Sequence, residues 1–402
     1  MSVRIPTTYL FTRYVELLQN TLQQEVARLS MHSSSLAIPA LDSLYGQMGY
    51  HLGWLDAQFV PVQHRTGKLL RPTLLLLAYE AAGACQSTAK REAKTHLDRA
   101  LPAALAIELF HSFTLLHDDI EDADRERRHR PTAWAVYGIP QAINLGDGLA
   151  SLSRLALFRL LDQGVDADLV ARLGQCFERA TLMVIEGQHM DLCFETQEQV
   201  PVSHCLDMLT RKTAALLACA AEMGASLGCR DESTIQAFHQ FGWHLGTAFQ
   251  VRDDLLGIWA TLAESGKTPA GDVLRRKKTL PVLYAIQHAS PPDHAWLQTL
   301  YTRPEAPGRE QVEQVLSILE QTRSREYCQH FLTEQCVLAR DALRQVPTPA
   351  VPLAQEALAD LGALIEYVAQ ELWPAKAGDR AAVQEPVLPL KTEPGGPDRD
   401  DT

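Results

Sequence analysis

Apolar residues recur at spacings of three and four along most of this chain, the period of a helix with one buried face. The pattern is clearest over 101–120, 148–161, 168–187, 204–228, 234–258 and 308–345. Strand-like alternation and Asn-Gly turns are absent. The pattern breaks at polar or Pro/Gly-bearing stretches: 61–67, 83–97, 128–140, 162–166, 199–203, 229–233, 263–272, 289–293 and 302–308. These breaks predict about ten or more helices and no sheet, an all-α fold. No repeat of fixed period interrupts that reading.

Two clusters of carboxylates sit inside this apolar pattern. One is Asp118-Asp119-Ile120-Glu121-Asp122, led in by Leu115-Leu116-His117. The other is Asp253-Asp254, between Phe249-Gln250-Val251-Arg252 and Leu255-Leu256. Carboxylates beside apolar walls are costly unless their charge is compensated. On a helix, Asp118 and Asp122 lie one turn apart and share a face, as do Gln250, Asp253 and Asp254. Carboxylates in that register suit Mg²⁺, which takes oxygen ligands and keeps waters for a phosphate-bearing substrate. The plainer alternatives are a solvated acidic helix end for the first cluster and an ion pair with Arg252 for the second. Two clusters together favour one cavity that holds hard cations and, through them, a polyanion.

Charge and composition narrow the partner. The formal net charge is −12 over 402 residues, which argues against nucleic acid. Eight cysteines lie scattered without a CxxC pair, the pattern of reduced thiols in a cytoplasmic protein. The first twenty residues lack the layout of a signal peptide. No apolar stretch reaches the roughly 20 residues of a spanning helix. The basic residues that matter are therefore local. Lys68 and Arg71 stand one turn apart beside a break, and His111 lies two turns before Asp118. Arg127-Arg128 follow the first acidic cluster, Lys212-Thr213 open an apolar helix, and Lys267 and Lys277-Lys278 follow the second cluster. Each alone is better read as a solvated charge. Together with two acidic clusters they spell a diphosphate site. Phe110 and Phe113, eight and five residues before Asp118, are candidates for the floor of its apolar part.

Taken jointly and in this order, these segments resemble the trans-isoprenyl diphosphate synthases, the polyprenyl synthetase family. The DDxxD motif matches Asp118 to Asp122, and the arginine pair after it matches Arg127-Arg128. GKxxRP matches Gly67 to Pro72, and the upstream histidine matches His111. The KT pair matches Lys212-Thr213, GQxxD matches Gly187 to Asp191, and FQxxDD matches Phe249 to Asp254.

The resemblance implies a single large helical bundle of the isoprenoid synthase type around a central apolar cavity. Residues 46–372 would form it, 1–45 being an N-terminal extension or extra helix and 373–402 a disordered tail. It implies Asp118, Asp122 and Asp253 as ligands of about three Mg²⁺ ions, with Asp119 and Asp254 in support. It implies Arg127, Lys212, Thr213, Gln250, Lys267 and Lys278 on the allylic diphosphate. Lys68, Arg71, His111 and Arg128 would hold isopentenyl diphosphate. The family is commonly a homodimer. Phe113, an aromatic five residues before DDxxD, together with the absence of a two-residue insertion in that motif, implies a geranylgeranyl (C20) product, with farnesyl (C15) second if Phe110 closes the pocket. A class I terpene cyclase and a non-catalytic subunit are the alternatives. The chain departs from the family at Leu69, at His129 (usually Gly after the arginine pair), at Lys277 and at Gly257, where many relatives carry a third aspartate.

Overall fold

A computed structural model describes residues 12–34, 39–62, 67–84, 96–260, 270–303 and 305–370. The expected tail, 373–402, and Lys267 lie outside these residues. The chain is all-α: sixteen α-helices and two π-helical turns among the described residues. They fall into two compact units interleaved in sequence. The first comprises residues 1–181, 216–242 and 340–367, the second 182–215, 243–339 and 368–402.

The first unit is built on α4 (Leu101–Glu121), which follows α1 (Val15–Ser34), α2 (Pro39–His51) and α3 (Leu70–Tyr79). Pro102 sits in the first turn of α4, where its missing N–H costs nothing. The Ala/Leu-rich run behind it has high helix propensity and is buried on most of its circumference. It packs on α3 and on α6 (Ile139–Phe158), the latter preceded by the short α5 (Ala133–Tyr137). The N-terminal arm is anchored by a buried ion network. Arg13 pairs with Glu80 at 2.8 Å and with Asp360, and Tyr14 Oη donates to Glu80 at 2.5 Å. Removing one partner of such a network costs about 3–5 kcal/mol. α1 lies within the expected extension 1–45.

Three more helices continue the chain: α7 (Ala167–Thr196), α8 (Val202–Leu209) and, after a π turn at Thr210–Ala214, α9 (Ala215–Gly228). α10 (Glu232–Trp259) then leads into the C-terminal half of the second unit. There α11 (Gly271–Leu274), α12 (Leu280–His288), α13 (Pro291–Thr302) and α14 (Arg309–Gln321) follow. Ile258, Val273, Val282, Leu297, Leu300, Val315 and Ile318 form the core of that region. Truncating one such side chain to Ala costs about 2–5 kcal/mol. α15 (Ser324–Arg344) and α16 (Pro352–Ala369) complete the chain.

Two departures from the periodicity are informative. The pattern over 308–345 reads as one helix, but the chain breaks between α14 and α15 at Arg323, whose φ is 54°. Thr322 Oγ1 donates to the Ile318 carbonyl at 2.8 Å and meets Ser324 Oγ at 2.8 Å. Hydroxyls thus end one helix and open the next without Gly or Pro. The second departure is a small ribbon where no sheet is expected. β1 (Glu126–Arg127) pairs antiparallel with β2 (Arg130–Pro131). Its two-residue turn is Arg128-His129, with φ of 55° and 61°. Positive φ at both central residues is the hairpin geometry that Asn-Gly usually signals. Arg-His carries no such signal.

Candidate active site

The first unit assembles one set of the expected residues around the C-terminal end of α4. Asp118 and Asp119 stand in its last turn, and Asp122 closes it, its N–H donating to the Asp118 carbonyl at 2.9 Å. The ribbon then turns Arg127 back onto the acids. Arg127 Nε donates to Asp119 Oδ1 at 2.5 Å and Nη2 to Asp118 Oδ2 at 3.1 Å. Burial pushes Asp119 up to about 6 against the pull of Arg127. The φ of 61° at His129 explains why glycine suits that position, and strain of about 1–3 kcal/mol there is compensated by the surrounding anchors. Tyr50 Oη donates to the Pro131 carbonyl at 2.7 Å, and Arg130 Nη2 donates to the Leu55 carbonyl at 2.9 Å.

Arg128, at the turn, reaches the Gly67 segment. A Cβ on Gly67 would lie 2.5 Å from Arg128 Nη2, so a side chain there would displace the guanidinium from this position. Two residues on, Leu69 adopts a left-handed φ of 48° before α3 begins. Arg71 Nη1 donates to His111 Nε2 at 3.0 Å. That bond needs an unprotonated Nε2, and burial and the arginines around it keep His111 well below the usual histidine range. Burial lowers Arg71 to about 10, which leaves it charged at neutral pH. Lys68 Nζ donates to Tyr367 Oη at 2.6 Å. Lys68, Arg71, His111, Arg127, Arg128 and the first acids therefore gather in one unit.

That cluster contains a residue outside the expected set. Glu108 lies one turn before His111, and burial pushes it up to about 7, opposed by Arg71 and Arg128. Its Oε2 and Arg71 Nε are buried without a hydrogen-bond partner among the described residues. The only trace of it in the sequence is one carboxylate in an apolar run, Ala-Ile-Glu-Leu-Phe. Further up α4 the rings form a ladder. Phe177 meets Phe110 at 5.7 Å, Phe110 meets Phe113 at 5.3 Å, and Phe113 meets His117 at 4.7 Å.

The second unit assembles the other set. Lys212 and Thr213 lie in the π turn between α8 and α9, a local widening of the helix common at functional sites. A Cβ on Gly187 of α7 would lie 2.3 Å from Lys212 N, so glycine is required where the turn crosses. Lys212 Nζ pairs with Asp191 Oδ2 at 2.6 Å, joining the GQxxD and KT segments. A relay then runs into the second acidic cluster. Thr213 Oγ1 donates to Gln250 Oε1 at 2.7 Å, and Gln250 Nε2 donates to Asp254 Oδ1 at 3.0 Å. Leu280 N donates to Asp254 Oδ2 at 3.1 Å. Burial pushes Asp254 up to about 7, the two hydrogen bonds oppose it, and the charges of Asp272 and Asp253 add to it.

Two basic residues near this cluster serve helix ends. Lys278 Nζ donates to the carbonyls of Phe194 at 2.8 Å, Glu195 at 3.2 Å and Gln197 at 2.6 Å, capping α7. Arg252 Nη1 donates to the carbonyls of Val368 and Gln370 at 2.8 and 2.9 Å.

Whether these acids fit Mg²⁺ is a question of donors. Among the described residues no three His, Cys, Asp or Glu side chains converge into a metal cage. Mg²⁺ does not need one: it binds through one or two carboxylates plus waters and substrate phosphates. Asp118 and Asp122 on a helix end, and Asp253 beside a buried Asp254, are donor sets of that kind.

The comparisons with known proteins identify the family. The polyprenyl synthetase family model matches residues 53–319. A (2E,6E)-farnesyl diphosphate synthase of Mycobacterium tuberculosis is 40% identical over 273 residues, 68% of each chain. A geranylgeranyl diphosphate synthase of the same organism is 39% identical over 271 residues, 67% of this chain and 73% of the other. The crystal structure of a polyprenyl synthetase from Streptomyces coelicolor A3(2) superposes with a TM-score of 0.77 at 34% identity, covering 90% of this chain and 99% of that one. The chain belongs to the polyprenyl synthetase family.

Proposed function

We propose that the protein condenses isopentenyl diphosphate with an allylic diphosphate in the presence of Mg²⁺. The product is a short-chain isoprenyl diphosphate, geranylgeranyl diphosphate (C20) first and farnesyl diphosphate (C15) second. The observation that carries this is the Arg71–His111–Arg128 cluster beside DDxxD, with Arg71 donating to His111 at 3.0 Å. A second diphosphate needs such a cationic pocket. A terpene cyclase, which has one diphosphate substrate, has no use for it, and a non-catalytic subunit has no reason to keep Asp118, Asp122 and Asp253.

Asp118, Asp122 and Asp253 hold Mg²⁺, and bound Mg²⁺ supplies charge neutralisation for the departing pyrophosphate. Arg127, Lys212, Thr213 and Gln250 bind the allylic diphosphate and stabilise its charge as the C–O bond ionises. Lys278 belongs first to the end of α7, whose three carbonyls it serves. Lys68, Arg71, His111 and Arg128 orient isopentenyl diphosphate, whose double bond attacks the allylic cation. A proton is then lost to the departing pyrophosphate, so no side-chain base is required. Phe113, backed by Phe110, limits the growing chain and keeps that end of the pocket dry.

The active protein is a homodimer in this reading. Ile139, Ile143, Leu155 and Phe158 of α6 are 47, 42, 50 and 60% exposed in the single chain, an apolar helix face of the sort subunits cover. No described helix is long and apolar enough to cross a membrane, which accords with a cytoplasmic enzyme.

The test is incubation with Mg²⁺, radiolabelled isopentenyl diphosphate and dimethylallyl, geranyl or farnesyl diphosphate in turn. Labelled C20 or C15 diphosphate supports the proposal. No elongation from any primer refutes it, and an unlabelled hydrocarbon from an allylic substrate alone favours a cyclase.

A further inference from the structure

Three sulfurs meet between α7 and α9 of the first unit. Cys176 Sγ donates to Cys219 Sγ at 3.6 Å, and Cys219 Sγ donates to Met223 Sδ at 3.4 Å. Cys219 and Met223 stand one turn apart on α9 and share a face. Both are buried, at 2 and 0% exposure, whereas Cys176 on α7 is part-exposed at the edge of the cluster.

Charge gathers beside them. His239 Nδ1 of α10 donates to Glu222 Oε2 at 2.8 Å. Burial raises Glu222, but the hydrogen bond and charge of His239 and a hydrogen bond from Cys176 bring it below the usual carboxylate range. The Cys176 thiol is pushed well above its usual range, first by its hydrogen bond to Cys219, then by burial and by the charges of Cys219 and Glu222.

The ordinary account is thiols used as small apolar filling between helices. Alanine or leucine would fill that space without three sulfurs in contact or a carboxylate held against a thiol. A disulfide is the next account. It would need the two thiols to close from 3.6 Å to about 2.05 Å. Its formation also needs a thiolate, which the Glu222 charge opposes. A cation meets both difficulties. It neutralises thiolate and carboxylate together, and it asks the sulfurs to part slightly instead of closing. Bonds of about 2.3 Å to three sulfurs in a plane set them roughly 4 Å apart, about half an ångström beyond the present spacing. Thiolate and thioether ligands select Cu(I). Among the described residues no three His, Cys, Asp or Glu side chains converge, and here the third donor is a thioether.

We propose that Cys176, Cys219 and Met223 form a three-sulfur site for a soft monovalent cation, Cu(I), with Glu222 and His239 as the charged support beside it. Binding exchanges the protons of the two thiols for the cation. The protons pass to solvent and no electron is transferred. The site involves none of the residues assigned to Mg²⁺ or diphosphate.

The test titrates the reduced full chain with Cu(I) under anaerobic conditions, against the chromophoric Cu(I) chelator bathocuproine disulfonate and without Mg²⁺ or substrates. Wild type is expected to take one equivalent of copper from the chelator that Cys176→Ser and Cys219→Ser each leave behind. Cys193→Ser, which removes an exposed thiol elsewhere on α7, is expected to keep that equivalent. Met223→Leu nearly conserves volume, so the fold tolerates it. Its affinity is expected to fall, with one sulfur neighbour lost in copper K-edge absorption. Glu222→Gln should weaken binding about tenfold, the lower end of what a group behind a metal ligand is worth. Melting without metal shows whether each variant is folded; if Cys219→Ser is not, the part-exposed Cys176 carries the comparison. Equal copper uptake by wild type and Cys176→Ser overturns the site. So does an uptake that Cys193→Ser abolishes as well, which is non-specific thiol binding. An unchanged affinity in Met223→Leu or Glu222→Gln overturns the arrangement proposed.

Discussion

The two acidic segments solve the same electrostatic problem by different means. Asp118 and Asp119 are faced by a cation, Arg127, delivered by a two-residue hairpin turn. Asp254 is instead met by neutral donors, the Gln250 amide and the Leu280 N–H. Arginine neutralises charge and can be reassigned to a phosphate when substrate arrives. Amide donors fix geometry but leave the charge, which is why burial still holds Asp254 near 7. The difference suggests a division of labour. The first unit carries a cationic pocket in which arginines are shared between acids and substrates. The second carries a rigid relay, Thr213–Gln250–Asp254–Leu280, that presents Asp253.

Several substitutions sharpen or break this contrast. Asp118→Ala and Asp253→Ala are each expected to lower kcat by about 10³-fold, the scale for removing a preorganised charge stabiliser. Asp254→Ala, which removes only a support, should cost about 10–100-fold. Steady-state rates that rank Asp254 level with Asp253 would dissolve the distinction between ligand and relay.

Gly187→Ala drives a Cβ to 2.3 Å from Lys212 N and should destabilise the protein by about 1–3 kcal/mol. It should also raise the KM for the allylic diphosphate while leaving that for isopentenyl diphosphate unchanged, as melting and two-substrate kinetics can show. Phe113→Ala should lengthen the product by at least one isoprene unit, read by chromatography of the dephosphorylated alcohols. An unchanged product would pass the role of floor to Phe110.

The smallest effect concerns Glu108. Its folded pKa, about 7, is raised from an ordinary 4.5. The folded state therefore holds a proton that the unfolded state has already released between those values. Stability attributable to Glu108 is complete below about 4.5 and is lost as pH climbs through 7. Glu108→Gln should abolish that loss, so the variant gains on wild type between pH 4.5 and 7 in denaturant titrations. His51, lowered by burial to about 4, has the opposite sign and cancels in the difference between the two proteins.

The sequence was most legible where spacing and chemistry coincide. Apolar periodicity located α4 almost to the residue, because a buried helix in an Ala/Leu-rich run has few ways to end other than a charged turn. The acidic clusters and their basic companions were found because charge inside apolar pattern demands a partner. What stayed hidden was geometry that residue type does not announce. Arg128-His129 form a hairpin turn without Asn or Gly, and Arg323 breaks a helix without Gly or Pro. Lys278 has the composition of a phosphate ligand, yet three backbone carbonyls take its ammonium. The Asp272 carboxylate that lies against Gly257 comes from fifteen positions away in sequence.

The division of labour can be measured directly by the KM of each substrate in Arg71→Ala and Lys212→Ala. A lost charge-assisted hydrogen bond is worth about 1.5–3 kcal/mol, or roughly 10–150-fold in affinity. Arg71→Ala should raise the KM for isopentenyl diphosphate by that factor and leave the allylic KM within about twofold of wild type, with Lys212→Ala the mirror image. If both variants shift both constants equally, Arg71 and Lys212 do not serve different substrates, and the account is wrong.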